Sequence, residues 1–173
     1  GSYRYGLTDW LTLEGHAEGA QELALGGAGT VVKLGQFGVV NTSYSQSRMR
    51  GDEGGQINWG YQYSTSEFSV ATQHTRRDRG FGNLALYDQP TVYDENDKPI
   101  ASFSRNTDQY SLTFNMGQYG NIGAAWIGVE SFDGQKTELL NLSWSRNLWG
   151  ASSIYLAGSR DQQRGDWTVA LSL

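Results

Sequence analysis

The sequence predicts an all-β protein, an antiparallel up-and-down transmembrane β-barrel of about ten strands. Three observations lead there. Polar and apolar residues alternate over segments of about 8 to 12 residues, the length a tilted strand needs to cross a bilayer. The chain has 173 residues, with 23 glycines, only 2 prolines and 13% aromatics, a composition of strands and tight turns. The connections between segments fall into two alternating kinds, one short and nearly uncharged, the other longer or charged.

Five segments alternate most cleanly. "WLTLEGHAEG" sets Leu11, Leu13 and Ala17 opposite Thr12, Glu14, His16 and Glu18. "QINWGYQYS" sets Ile57, Trp59, Tyr61 and Tyr63 opposite Gln56, Asn58, Gly60, Gln62 and Ser64. "QYSLTFNM" sets Tyr110, Leu112, Phe114 and Met116 opposite Gln109, Ser111, Thr113 and Asn115. "ELLNLSWS" sets Leu140, Leu142 and Trp144 opposite Asn141, Ser143 and Ser145. "DWTVALSL" sets Trp167, Val169, Leu171 and Leu173 opposite Thr168, Ala170 and Ser172. A period of two is the mark of a strand with unlike faces. Five further segments are less regular, and in "NIGAAWIGV" both faces are apolar or small, so its orientation stays open.

The connections decide the topology. "LGQF", "STSE", "GQYG" and "LWGA" are short; "EGAQE", "RMRGDEGG", "FDGQK", "RDQQRGD" and a stretch from about Arg76 to Pro99 are longer or charged. Strict alternation puts all short turns on one side of a meander and all long loops on the other, as in outer-membrane barrels. Phe37, Tyr63, Phe68, Tyr119 and Trp149 gather at the short turns, where an interfacial aromatic girdle belongs, and Tyr3 and Tyr5 reach that level if the chain starts there.

The polar faces carry Gln, Asn, Ser, Thr and Gly rather than the Lys and Glu of a water-facing sheet, and the charges gather in the loops. The apolar face is therefore expected to meet lipid, through Trp59, Tyr61, Leu112, Phe114, Leu140, Leu142, Trp144, Val169 and Leu171. The expected lumen lining is Glu14, His16, Gln56, Asn58, Gln62, Gln109, Thr113, Asn115, Asn141, Ser143, Thr168 and Ser172.

Composition narrows the chemistry. No run approaches 18 apolar residues and mean hydropathy is -0.54, so no transmembrane helix is expected; barrel strands are not excluded by this. There is no cysteine, which removes disulfides and thiolate metal sites. A net charge of -5 argues against nucleic acid. No export signal is visible, and the opening Gly-Ser is compatible with one having been removed.

No catalytic, metal or cofactor site is expected. Glu14, His16 and Glu18 form a ladder on one strand face, and a metal would need further ligands from neighbouring strands. "GGAG" at 26–29 lacks the lysine and hydroxyl of a phosphate loop. His74 and Ser69 fall on opposite faces, so no nucleophilic triad stands out. "HTRRDRG" could offer Arg76, Arg77 and Arg79 to lipopolysaccharide phosphates at the outer rim. The nearby Asp88, Asp94, Glu95 and Asp97 favour an ordinary solvated loop base instead.

Several segments carry a family resemblance. "YRYGLTDWLTLEGHAEG", "LGQFGVVNTSYSQSR" and "GGQINWGYQYSTSEF", in that order, together with the late "LLNLSWSRNLWGASSIYLAGSRDQQRGDWTVALSL", resemble the outer-membrane usher family of the chaperone–usher pilus pathway. The resemblance is strongest over about the first 70 residues. It implies a piece of the usher's transmembrane barrel after the plug, in the bacterial outer membrane. A full-length parent would bind chaperone–pilin complexes and pass pilus subunits; no plug and no periplasmic domain is recognisable in residues 1–173, read as a single barrel domain.

Taken alone, ten strands tilted at about 40° would close at a radius of roughly 10 Å, too narrow for a folded subunit. Closure of the first strand (Asp9–Gly19) on the last (Trp167–Leu173), ranked ahead of pairing with another copy, is expected to make a monomer in outer-membrane lipid with little conductance and both termini on the short-turn side. The alternative is a self-standing small barrel that adheres, binds or anchors through its long loop.

Overall fold

The computed structural model describes residues 1–82, 92–93, 99–100, 104–147, 153–161 and 167–172, with side chains described for 1–82, 104–146, 158 and 168–170. One antiparallel sheet runs through it. Its strands are β1 (Ser2–Gly6), β2 (Leu11–Ala20), β3 (Leu23–Lys33), β4 (Val39–Met49), β5 (Asp52–Ser64) and β6 (Phe68–Arg77), followed by β9 (Ser104–Asn115), β10 (Asn121–Ser131), β11 (Lys136–Asn147), β12 (Ser153–Asp161) and β13 (Trp167–Ser172). Between β6 and β9, the short strands β7 (Val92–Tyr93) and β8 (Pro99–Ile100) pair only with each other. Each main strand pairs with its predecessor and its successor, the up-and-down order expected from the alternating connections.

Among the described residues the sheet has eleven strands, in line with the roughly ten expected. The additional one is β1, whose Arg4 and Tyr5 pair with Glu14 and Leu13. Five residues are too few to separate a strand from a lead-in segment, so β1 becomes evident only through its partner. The predicted first strand, Asp9–Gly19, is thus second in the sheet. The N-terminus also moves: the Gly1 amine bonds the Ala17 carbonyl at 2.6 Å, near the loop end of β2 rather than on the short-turn side.

Two predicted charged loops are tight turns. Met49 pairs directly with Asp52, leaving Arg50 and Gly51 to turn the chain, both with positive φ (52° and 94°). That geometry matches the twist of the flanking strands, and glycine adopts it without a Cβ penalty. Similarly, Ala20 pairs with Leu23. The strands reach further on the loop side than their charged residues suggested.

On the other side, two turns share one sequence plan: Leu34-Gly35-Gln36-Phe37-Gly38 and Met116-Gly117-Gln118-Tyr119-Gly120. Each holds a single 3-10 turn, Gly35–Phe37 and Gly117–Tyr119, and each closes with a bond to the last glycine's carbonyl, from Leu34 N and Met116 N. A side chain on strand β5 or β11 then bonds the aromatic residue's carbonyl: the Tyr61 hydroxyl donates to Phe37 at 2.5 Å, and the Trp144 indole to Tyr119 at 3.0 Å.

The described residues do not close over a core. The chain's accessible surface is 11761 Å², whereas a compact protein of this mass would expose about 8,400 Å². Among the described residues only Leu23, Leu25 and Phe81 are buried apolar side chains. Among the described residues no ladder joins β1 and β13, which lie at opposite ends of the sheet, so the expected closure is not shown.

Candidate functional site

In an antiparallel sheet, directly paired residues point to the same face, so the register sorts every side chain. One row runs Arg4, Glu14, Gly29, Ser43, Asn58, Thr75 and Thr107 across β1 to β9. The adjacent rows on that face hold His16 with Ser45 and Gln56, then Gln62 with Ser111 and Asn141, then Thr113 with Ser143. All the residues predicted to line a lumen occupy this one face by register. The side chain of Ser172 lies outside the described residues, as does that of Leu171 on the other face.

The polar face is knitted by its own side chains. Asn58 donates to Ser43 at 3.2 Å and accepts from Thr75 at 2.8 Å, spanning β4, β5 and β6. Arg4 and Glu14 form an ion pair at 2.5 Å, and Arg77 donates to Gln56 and to Ser104. His16 and Ser45 bond at 3.2 Å over Gly27, where a Cβ would collide with both. Ser45 is buried, so its hydroxyl is not presented to a substrate and the pair joins strands instead. Further along, Ser111, Thr113, Asn141, Ser143 and Thr168 line one groove of about 350 Å³.

The opposite face carries rings and aliphatic chains. Tyr63, Phe68 and Phe114 pack in sequence beside the short turns. Higher up, Trp59, His74, Tyr110 and Trp126 form a chain of ring contacts 5.1 to 5.5 Å apart. These large side chains lie open: Trp59 is 37% exposed, Leu142 46% and Val169 69%. The register also settles the ambiguous "NIGAAWIGV": Ile122, Ala124 and Trp126 join the aromatic face, and Gly123, Ala125 and Ile127 the polar one.

One cluster on the aromatic face was not foreseen. Asp108 bonds His74 at 2.6 Å and Arg76 at 2.8 Å, and the Arg76 guanidinium sits 5.3 Å over the Trp59 ring. Asn106 bonds Glu130 beside it at 2.8 Å. The stretch from Arg76 was expected to be loop, but β6 continues through Arg77, so His74 and Arg76 keep the parity of Val70 and Thr72. From Phe68 to Arg76 the strand climbs about 26 Å.

The three arginines considered for lipopolysaccharide do not converge. Arg76 lies on the aromatic face, Arg77 on the polar face with Gln56, and Arg79 beyond the strand, donating to the Phe132 carbonyl at 3.2 Å. Neighbours in a strand point apart, which divides Arg76 from Arg77. The acidic residues weighed against that reading, Asp88, Asp94, Glu95 and Asp97, lie outside the described residues, as does Trp149.

The long connection also starts in an unexpected direction. Instead of leaving outward, it folds over the polar face at the loop end of β5. Phe81 is 5% exposed, buried like Leu23 and Leu25, and Gly82 N donates to the buried Ser47 hydroxyl at 2.7 Å. Asp78 brackets Gly55, accepting from its N–H at 3.0 Å and donating its own N–H to the Gly55 carbonyl at 2.8 Å. Backbone runs so close that a Cβ on Gly54 would lie 2.1 Å from Phe81 N.

No protein-family model matches the chain, and neither does any curated protein sequence. Among solved structures, the fold is similar to the P pilus usher (PapC) translocation pore, with a TM-score of 0.70 and 17% identity. The match covers 98% of this chain and 36% of that one, so the chain spans about a third of the length of the pore it resembles. The chain thus shares the strand architecture of part of a translocation barrel.

Proposed function

We propose that this chain is a wall segment of an outer-membrane usher barrel, the kind of channel that passes pilus subunits delivered by a chaperone. The observation that carries this is the match of its whole open meander, 98% of the chain, to 36% of a pilus usher pore. The order of sequence motifs, strongest over about the first 70 residues, supports the same assignment independently.

In this reading the aromatic face meets lipid, through Trp59, Tyr61, Leu112, Phe114, Leu140, Leu142, Trp144, Val169 and Leu171. The polar face, with Gln56, Asn58, Gln62, Gln109, Thr113, Asn115, Asn141 and Ser143 among its residues, lines the passage. Exposed rings on one face and interlocked polar groups on the other support that orientation. The passage face needs no catalytic group; its neutral amides and hydroxyls offer a folded cargo no strong anchor. Deleting the coding segment from its host and counting surface fibres by electron microscopy tests the assignment. Loss of one class of fibre is expected, and an unchanged fibre count would overturn it.

A further inference from the structure

On the aromatic face, four neighbouring strands change character at one register line. Across β6, β9, β10 and β11, the row Thr72, Tyr110, Trp126 and Leu140 is the last without a charge. The next row toward the loops is His74, Asp108, Gly128 and Glu138, and the one after it Arg76, Asn106, Glu130 and Lys136. The inference rests on the reading that this face meets lipid. A lipid-facing charge is costly at the bilayer midplane and nearly free at the interface, so the line marks the border between hydrocarbon and head groups.

A pocket of about 120 Å³ opens just above that line, its walls including Trp126, Gly128, Glu130, Lys136 and Glu138. Gly128 gives it an aromatic wall. A Cβ there would lie 2.4 Å from Cη2 of Trp126, so the six-membered ring of the indole covers the glycine. The charges around the pocket do not cancel. The Asp108 carboxylate is taken up by His74 and Arg76. Glu130 accepts from the Asn106 amide at 2.8 Å, and although Lys136 lies directly opposite it on the ladder, no ion pair joins the two. Among the described residues, the side chains of Lys136 and Glu138 are engaged by no ion pair or hydrogen bond. Glu130 and Glu138 against Lys136 leave one negative charge unbalanced.

We propose that this pocket binds the head group of a membrane lipid that carries a primary ammonium beside a phosphate. The ammonium brings three N–H donors for the carboxylates of Glu130 and Glu138, and a cation is attracted to the face of the Trp126 indole. Lys136, the first residue of β11, supplies the positive charge for the phosphate. The acyl chains then run down the apolar rows, over Leu140 and Leu142, a contact that no soluble amine can make. A choline head has the positive charge but no N–H donor for the carboxylates. A glycerol head has neither.

The test inserts the full chain into vesicles of equal parts phosphatidylethanolamine, phosphatidylcholine and phosphatidylglycerol. The chain is then extracted in mild detergent, and the lipids that stay with it are counted by mass spectrometry. Phosphatidylethanolamine should be enriched about two- to fivefold over phosphatidylcholine, the scale of one exposed ion pair. Phosphatidylglycerol should be retained least. The double variant Glu130→Gln with Glu138→Gln keeps the size of both side chains and should bring the first ratio to parity. Gly128→Val leaves every charge in place but displaces the Trp126 ring and fills the pocket, and should do the same. Retained lipid that mirrors the vesicle composition, or an enrichment that survives either variant, would overturn the proposal. A chain that alkaline carbonate strips from the vesicles would instead sink the membrane reading beneath it, which the lipid ratio does not test.

Discussion

The two faces of this sheet hold themselves together in different ways. On the polar face, side chains bond one another across strands: Asn58 to Ser43 and Thr75, His16 to Ser45, Arg77 to Gln56. On the aromatic face, ring contacts dominate until His74, Asp108 and Arg76 meet near the loop end. A water-soluble sheet would bury the rings and wet the amides. Here the rings are open, and the only buried apolar side chains described are Leu23 and Leu25 of β3 and Phe81 at the start of the long connection. The contrast teaches that the environment stabilising the aromatic face is not the protein itself, which is the physical content of the proposed lipid contact.

The strongest way to break this comparison is a charge placed on each face of one strand. Leu142 and Ser143 are consecutive in β11 and point opposite ways. Leu142→Arg should destabilise the vesicle-inserted chain by about 2–4 kcal/mol. Ser143→Arg, facing a polar passage, should cost far less. Urea titration followed by tryptophan fluorescence measures both. Equal losses would mean the faces are assigned wrongly.

A smaller effect is expected at Phe81. Phe81→Ala should remove about 2 kcal/mol of apolar burial and release the base of the long connection. Limited proteolysis should then cut just beyond residue 82 faster, while cleavage between β10 and β11 stays unchanged. Gly54→Ala should act in the same direction, because its methyl would collide with Phe81 backbone. If neither variant alters cleavage, the loop base is not held by this contact.

The smallest effect belongs to the ionic cluster. Asp108→Asn leaves Arg76 without its carboxylate partner at a partly exposed site, and should cost about 0.5–1 kcal/mol. A loss of several kcal/mol would place the cluster deep in the apolar band rather than near its upper boundary.

Alternation made much of this legible in the sequence. Where a strand keeps period two for several residues, as in 56–64 or 109–115, the register places the same residues on each face. Three features escaped for separate reasons. β1 is too short to show a period and depends on its ladder with β2. The positions of His74 and Arg76 depend on where β6 ends, and a dense charge cluster looks like loop even inside a strand. The path of Phe81 leaves no periodic signal at all; it is set by tertiary contact with β4 and β5, through Ser47 and Gly54.

The orientation of the sheet in the membrane is the central claim, and β11 can report it residue by residue. Nitroxide labels at single cysteines from Leu140 to Ser145, in the vesicle-inserted chain, should show a period of two. Collision with oxygen, which concentrates in lipid, should peak at Leu140, Leu142 and Trp144. Collision with a water-soluble nickel chelate should peak at Asn141, Ser143 and Ser145. The opposite phase, or no period at all, would contradict the assignment of the aromatic face to lipid.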